Sequence, residues 1–155
     1  MPAHVLVGTT FAGKGPQGVI MRTFLTIKTH FSAAHRLHRP EWGKDKNVEV
    51  FGLCANPNGH GHNYELEVTV EGPIDPETGM ILDMKALKSL VQEQVVDHVD
   101  HKHLNLDVPF LRGIIPTAEN LAVAFWEILD PRIPAGRLHE LRLQETERNI
   151  AVVRR

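Results

Sequence analysis

The strict alternation from His62 to Glu71 constrains the fold of this chain more than any other feature. Successive side chains of a β-strand point to opposite faces of a sheet. One face of this strand would carry His62, Tyr64, Leu66, Val68 and Val70. The other face would carry Asn63, Glu65, Glu67, Thr69 and Glu71. The pattern predicts a half-buried strand with its apolar face on the core.

A preceding strand and two helices are also predicted. Residues 22–34 are rich in β-branched and aromatic side chains, which favour a strand. Asp83 can cap a helix that runs to about Val99. Thr117 can cap a second helix, which Pro131 ends. Both helices carry apolar side chains on one side, so each is expected to pack on a core.

The end of the chain predicts a hairpin, because the runs Leu138–Glu145 and Ile150–Arg154 flank a polar turn. The element order is then β-β-α-α-β-β. Strands grouped apart from helices indicate an antiparallel α+β domain, with a four-stranded sheet and both helices on one face. Such a sheet has two open edges, which neighbouring subunits often cover. The long connection from Arg36 to Gly59 is a place where function is expected.

Length and composition limit the function further. The 155 residues suit one domain, expected over residues 22–155, and the glycine-rich residues 1–21 are predicted to be a disordered tail. The formal net charge of -2 argues against a nucleic-acid partner. No apolar run is long enough for a membrane span or a signal peptide, and the single cysteine fits a reducing compartment. We expect a cytoplasmic protein that acts on small molecules.

The pair His60 and His62 is the first candidate for a metal site. In an extended chain the two side chains point to the same side, so their imidazoles can converge on one ion. Zinc needs at least one further ligand, and His35 at the end of the preceding strand is the natural candidate. The alternative is that these are surface histidines or hydrogen-bonded core histidines.

Cys54 allows three interpretations: a buried structural thiol, a fourth metal ligand, or a base with a lowered pKa. Three histidines plus the cysteine would form a closed, structural zinc shell. Three histidines alone would leave a position for substrate and make the metal a Lewis acid. This difference separates an enzyme from a scaffold.

The segment after the first helix contains two Asp-His pairs, Asp97-His98 and Asp100-His101. A carboxylate that orients an imidazole is a common proton-relay arrangement. Charged residues at a helix end are more often simply solvated. The residues alone do not rank the two pairs.

Glu145 shares a strand face with Leu141 and Leu143, which places a carboxylate at the end of an apolar stripe. A buried carboxylate requires a partner, and an amidine-like edge with two N–H donors would suit it. The alternative is a frayed strand end with the carboxylate in water.

Six separated segments of the sequence contain the motifs that matter next: Phe31–Leu37, Cys54–Tyr64, Asp100–Lys102, Leu106–Phe110, Pro116–Val123 and Glu145–Thr146. Together they resemble the 6-pyruvoyl-tetrahydropterin synthase family, from about Arg22 to the C-terminus. The order of the motifs makes the resemblance far more specific than His-x-His alone. The chain departs from the family at His103, where Asn is frequent, and at Ala118, where Thr is frequent.

The resemblance implies a role for each candidate residue. The Zn2+ ligands would be His35, His60 and His62. Cys54 would be the catalytic base, and Asp100 with His101 its relay, in preference to Asp97-His98. Glu145 would anchor the pterin in a pocket lined by Thr117 and Glu119.

The resemblance also implies the T-fold, in which three subunits close a barrel and two trimers stack into a hexamer. Active sites of the family lie at subunit contacts. The implied reaction converts 7,8-dihydroneopterin triphosphate to 6-pyruvoyl-tetrahydropterin. A close alternative is 6-carboxy-tetrahydropterin synthase of the queuosine pathway, which releases acetaldehyde. The spacing between Cys54 and His60 resembles the pyruvoyl branch. A more remote alternative is a non-catalytic oligomer stabilised by zinc.

Overall fold

The computed structural model describes residues 13–14 and 20–155. In this part of the chain the strands are β1 Gly13–Lys14, β2 Ile20–Met21, β3 Phe24–His35, β4 His60–Glu71, β5 Lys102–His103, β6 Arg137–Thr146 and β7 Asn149–Arg154. Strands β1 and β2 pair with each other. The other five form one sheet in the order β5-β3-β4-β6-β7. The α+β class is therefore confirmed.

The predicted count of four strands is wrong, because β5 adds a fifth. It lies parallel to β3, whereas the remaining neighbours are antiparallel. Its two residues are too few to produce an alternating pattern in the sequence. The strand exists because the backbone beside it bonds to β3: the amides of His101 and Leu104 donate to the carbonyl oxygens of Ser32 and Ala34, each at 2.7 Å.

The helices are α1 Lys44–Phe51, α2 Met84–Val91, α3 Asp97–Val99 and α4 Ala118–Leu129. A π-helical turn, Gln92–Val96, joins α2 to α3, so the predicted helix does reach Val99 but not as one regular α-helix. Both predicted caps are present. Oδ1 of Asp83 accepts from the amide of Lys85 at 2.9 Å, and Oγ1 of Thr117 accepts from that of Asn120 at 3.2 Å.

Helix α1 corrects the prediction of two helices, since it lies in the connection that was expected to be a loop. The buried side chain of α1 is the polar Asn47, so this helix lacks the apolar stripe from which a helix is predicted. Oδ1 of Asn47 accepts from the amide of Arg39 at 2.8 Å. Its Nδ2 lies 3.0 to 3.2 Å from the carbonyl oxygens of Arg39, Trp42 and Gly43. A polar side chain therefore organises this connection.

The hydrophobic core lies between one face of the sheet and the helices. The odd-numbered side of β3 and the even-numbered side of β4 face it, as the alternation predicted for β4. Its largest side chains are Tyr64, Phe31, Phe125, Leu66, Leu87, Leu104, Leu111, Leu121, Leu129, Leu138, Leu141 and Leu143. The three candidate metal ligands project from this same face, at one end of the core.

The predicted N-terminal tail is only partly covered by the structure. Within it, Gly13 pairs with Met21 and Lys14 with Ile20 in a short antiparallel ladder. Residues 1–12 and 15–19 lie outside the described residues. None of the helices in the described part of the chain is both long and apolar enough to cross a membrane.

Candidate metal centre and active site

Three histidines from two neighbouring strands converge at the end of the sheet. In the register of β3 and β4, His35 lies opposite His60, and His62 is two residues further along β4. The ligand atoms of the three imidazoles all lie within 4.8 Å of one another. Nε2 of His35 is 3.1 Å from Nε2 of His60. Two nitrogens on a tetrahedral zinc would be about 3.3 Å apart for bonds of about 2.0–2.1 Å, so the spacing suits a metal ion of this kind.

Contacts to Nδ1 hold the imidazole of His35 in one orientation. Its Nδ1 donates to the carbonyl oxygen of Pro116 at 2.8 Å, and the hydroxyl of Tyr64 lies 3.3 Å from the same nitrogen. With the proton on Nδ1, the lone pair of Nε2 points toward the other two histidines. Burial lowers the pKa of His35 to about 4, and burial also lowers the pKa of His62. These two rings are therefore neutral at physiological pH, as metal ligands must be.

Glu145 lies beside this cluster. Its Oε1 is 3.7 Å from Nε2 of His35 and 3.9 Å from Nε2 of His62. Because the pKa of His35 is about 4, the closer contact is not an ion pair at neutral pH. The side chain of Glu145 is only 16% exposed, so the alternative of a carboxylate in open water does not describe the structure.

A cavity of about 480 Å³ opens next to Glu145. It is formed by the start of α4 and the turn between β6 and β7. Thr117, Glu119 and Glu145, the three residues predicted to bind substrate, all line it. Arg148 from the turn and Asn149 at the start of β7 line it as well. The cavity is large enough for a bicyclic ring and has a carboxylate close to the histidine cluster.

Cys54 lies in a short 3-10 turn, Gly52–Ala55, and its thiol is half-buried. Burial raises the pKa of this thiol, and the negative charge of Glu145 raises it further. Among the described residues, the set of converging ligand atoms comprises the three histidines and leaves out the Cys54 sulfur. Three converging imidazoles are the ligand set that an open site would have.

The two Asp-His pairs differ in geometry. Oδ2 of Asp100 is 2.9 Å from Nδ1 of His101, and Oδ1 of Asp100 accepts from the amide of Ser32 at 2.9 Å. The Ser32 hydrogen bond, and then the one with His101, lower the pKa of Asp100. Asp97 instead accepts from Nε2 of Gln92 at 2.6 Å. Of these two pairs, the structure therefore brings the carboxylate and the imidazole together at Asp100-His101.

The Asp100-His101 pair does not reach Cys54 within one chain. The imidazole of His101 is 83% exposed, and its backbone has a φ of 56°, in the left-handed region. None of the hydrogen bonds among the described residues joins either member of the pair to the thiol. His101 and His62 do line a common groove of about 490 Å³.

Two contacts of His35 were not found from the sequence. The hydroxyl of Tyr64 and the carbonyl of Pro116 both contact His35. The alternating pattern of the strand predicts only that Tyr64 is buried. A main-chain carbonyl leaves no pattern in a sequence. Gly59 has a φ of 72°, and a Cβ there would lie 2.8 Å from the carbonyl oxygen of His35 and 3.1 Å from Nε2 of His103. The glycine directly before the histidine pair indicates this close backbone approach in the sequence itself.

Known proteins are similar to this chain in both sequence and fold. A sequence profile described as 6-pyruvoyl tetrahydropterin synthase matches residues 24–155. The chain is 45% identical over 131 residues to 6-pyruvoyl tetrahydrobiopterin synthase of Poecilia reticulata, covering 84% of this chain and 89% of that protein. It is 44% identical over 122 residues to the human protein of that name, covering 79% and 84%.

A solved structure agrees with these matches. The 6-pyruvoyl tetrahydropterin synthase of Caenorhabditis elegans superimposes with a TM-score of 0.82 at 37% identity, covering 87% of this chain and 96% of that one. Profile, relatives and fold all match over most of the chain that carries the histidine cluster. The chain therefore belongs to the 6-pyruvoyl tetrahydropterin synthase family.

Proposed function

We propose that this protein is a zinc-dependent lyase that converts 7,8-dihydroneopterin triphosphate to 6-pyruvoyl-tetrahydropterin with release of triphosphate. The observation that carries the proposal is the convergence of three imidazoles beside the Glu145 carboxylate and its cavity. Relatives at 44–45% identity that are named as this synthase support it.

The donor set fits zinc. All three ligands are imidazole nitrogens, which suit this borderline-soft ion, and His35 and His62 are neutral at physiological pH. His35, His60 and His62 would hold the metal. When bound, zinc supplies a positive charge that polarises the substrate's side-chain oxygens and favours ionisation of a nearby thiol.

Glu145 would bind the pterin ring. A carboxylate accepts two parallel hydrogen bonds from a flat edge with two N–H donors, and the pterin offers such an edge. Because Glu145 is close to His35 and His62, a ring held by it would have its side chain next to the metal centre. Thr117 and Glu119 line the same cavity and would contact the ring.

Cys54 and the Asp100-His101 pair would move the protons. As a thiolate, Cys54 would remove the proton from the side-chain carbon next to a polarised oxygen. His101, oriented by Asp100, would return protons during tautomerisation and the departure of triphosphate. The ring gains the hydrogens that the side chain loses, so the reaction needs no added oxidant.

We further propose that the relay serves Cys54 of a neighbouring subunit. The exposed His101 and the absence of a hydrogen bond from the pair to Cys54 in the described chain support a site shared between subunits. The assembly would be the hexamer of two barrel-forming trimers typical of the family, and the lone Cys54 is compatible with the reducing cytoplasm.

Mass-spectrometric identification of the product from 7,8-dihydroneopterin triphosphate tests the proposal. The zinc-loaded protein should yield 6-pyruvoyl-tetrahydropterin and triphosphate. Release of acetaldehyde would assign the protein to the carboxy branch instead. Zinc binding without turnover would favour the alternative of a non-catalytic oligomer that is stabilised by zinc.

The variant Cys54→Ala separates the base from a zinc ligand. It should retain one zinc per chain and lose about 10²–10⁴-fold in kcat, the usual contribution of a general base. Loss of zinc together with activity would mean that Cys54 completes a closed shell. Full turnover with zinc bound would show that another group is the base.

A further inference from the structure

The strand that carries His35 is held along one edge by the segment that carries the Asp100-His101 pair. Asp100 and His101 bond to the backbone of Ser32, and Leu104 bonds to that of Ala34. At Arg36 a side chain continues this pairing. The Arg36 amide donates to Oδ1 of Asn105, and Nδ2 of Asn105 donates to the Arg36 carbonyl oxygen, both at 2.8 Å. One amide group thus substitutes for a neighbouring strand immediately after His35.

The two residues that follow His35, Arg36 and Leu37, are bonded in turn to the segment that carries Cys54. Nε of Arg36 donates to the carbonyl oxygen of Ala55 at 3.0 Å. The amide of Leu37 donates to the carbonyl oxygen of Cys54 itself at 2.8 Å. The carbonyls of Cys54 and of the next residue are both held by the two residues that follow His35.

The other hydrogen bonds of the Cys54 turn stay within its own connection: the Gly52 amide donates to the carbonyl oxygen of Val48 in α1, and the Asn56 amide donates to that of Leu53. Leu53 is 93% exposed, and only Ala55 in this turn is buried. The hydrogen bonds from Arg36 and Leu37 therefore tie the turn that carries the thiol to the residues next to His35. These bonds depend on the path of the chain after His35, and Asn105 fixes that path.

We propose that Asn105 and Arg36 are positioning residues that hold the Cys54 thiol against the metal centre. The inference rests on the proposed function, in which Cys54 is the base. Displacement of a reacting group by about 1 Å can cost about 10²-fold in rate, so the position of a base on a turn with one buried residue depends on such bonds.

Two variants and one control test the inference. Asn105→Ala removes both hydrogen bonds to the Arg36 backbone, and Arg36→Lys keeps the charge but removes the Nε donor. Arg39→Lys is the matched control, because the Arg39 side chain pairs with the exposed Glu41 in the same connection, and none of the hydrogen bonds of the described residues joins it to the Cys54 turn.

Both variants should lower kcat by about 10–100-fold with KM within about twofold and unchanged zinc content, since the base moves but the binding groups stay. The chain has one cysteine, so iodoacetamide labelling of the metal-free protein reports on Cys54 alone. Its rate should rise severalfold in both variants as the turn gains freedom, and stay at the wild-type value in Arg39→Lys.

Unchanged labelling and unchanged kcat in both variants would overturn the inference. Loss of zinc in proportion to activity would also overturn it, because the residues would then support His35 rather than Cys54. If Asn105→Ala does not fold, Arg36→Lys decides the question. If wild-type protein shows no lyase turnover, the proposed function fails, and the labelling rates still decide whether these residues position the thiol.

Discussion

Oε1 of Glu145 lies 3.7 Å from Nε2 of His35, so a carboxylate near the end of β6 stands beside an imidazole at the end of β3. The two residues come from strands that are not neighbours, since β4 lies between them in the sheet. The contact brings the proposed ring-binding group next to the proposed metal ligands. A substrate bound by both would have little freedom to turn.

Glu145→Gln keeps the size of the side chain and removes its charge. We expect kcat/KM for 7,8-dihydroneopterin triphosphate to fall about 10–100-fold, because a hydrogen bond to a charged group contributes about 1.5–3 kcal/mol. Steady-state kinetics measure this, with zinc content as a check on the metal site. Glu147→Gln in the adjacent exposed turn is the control and should behave as wild type. An unchanged kcat/KM in Glu145→Gln would contradict the role of anchor.

The free energy of unfolding of the metal-free protein should decrease as the pH is lowered from 6.5 to about 4, because His35 stays neutral in the folded chain. Burial lowers the pKa of His35 from 6.5 to about 4, so the unfolded chain takes up a proton in this range and the folded chain does not. The loss is up to about 3 kcal/mol and levels off below the lower pKa. Urea unfolding of wild type and His35→Gln as a function of pH measures it. Parallel pH profiles for the two proteins would refute the prediction.

Tyr64→Phe should weaken zinc binding by about tenfold without unfolding the protein. The change removes the hydroxyl near Nδ1 of His35 and leaves the stronger Pro116 hydrogen bond, so the effect should be at the low end for an outer-shell partner. The ring remains stacked on Phe31 at 4.8 Å, which preserves the core. Competition with a chromophoric chelator measures the affinity. Wild-type zinc affinity would exclude a supporting role for the hydroxyl.

Glu71→Gln should destabilise the protein by about 2–4 kcal/mol, because it leaves two arginines without their buried carboxylate. Glu71 is 1% exposed and accepts from Arg22 at 2.6 and 2.9 Å and from Arg137 at 3.0 and 3.2 Å. The hydrogen bonds with Arg22, and then with Arg137, lower its pKa to about 2. The stabilisation is therefore complete above the ordinary pKa of 4.5 and is lost as the pH falls toward 2.

Glu67→Gln is the matched control for this change. Its carboxylate lies 3.5 Å from Nζ of the exposed Lys28, and such a surface pair contributes at most about 1 kcal/mol. Chemical denaturation at pH 7 compares the two variants. Equal losses of stability would show that burial of the Glu71 cluster does not matter.

Mixed oligomers of Cys54→Ala and His101→Ala should recover activity that neither variant has alone. If each site takes its thiol from one subunit and its relay from the next, random hybrids from an equal mixture contain about a quarter of intact sites. Joint refolding followed by an activity assay measures the recovery, and mixing without refolding is the control. Hybrids that form but stay inactive would place the relay and the thiol in the same subunit.

Local patterns predicted much of this structure correctly. The alternation from His62 to Glu71 determined which side chains of β4 face the core, and hence that His60 and His62 point the same way. Capping chemistry placed the starts of α2 and α4 at Asp83 and Thr117. These features depend on the spacing of side chains along a few turns or strand residues, which the sequence displays directly.

The sequence by itself therefore determined the α+β class, the faces of the main strands and the residue types of a metal site. Only the tertiary structure decided the fifth strand, helix α1, the Pro116 bond to His35 and the place of Glu145 beside it. These features depend on main-chain groups or on contacts between segments far apart in the chain. No periodicity records such contacts, because they form only when the core brings the segments together.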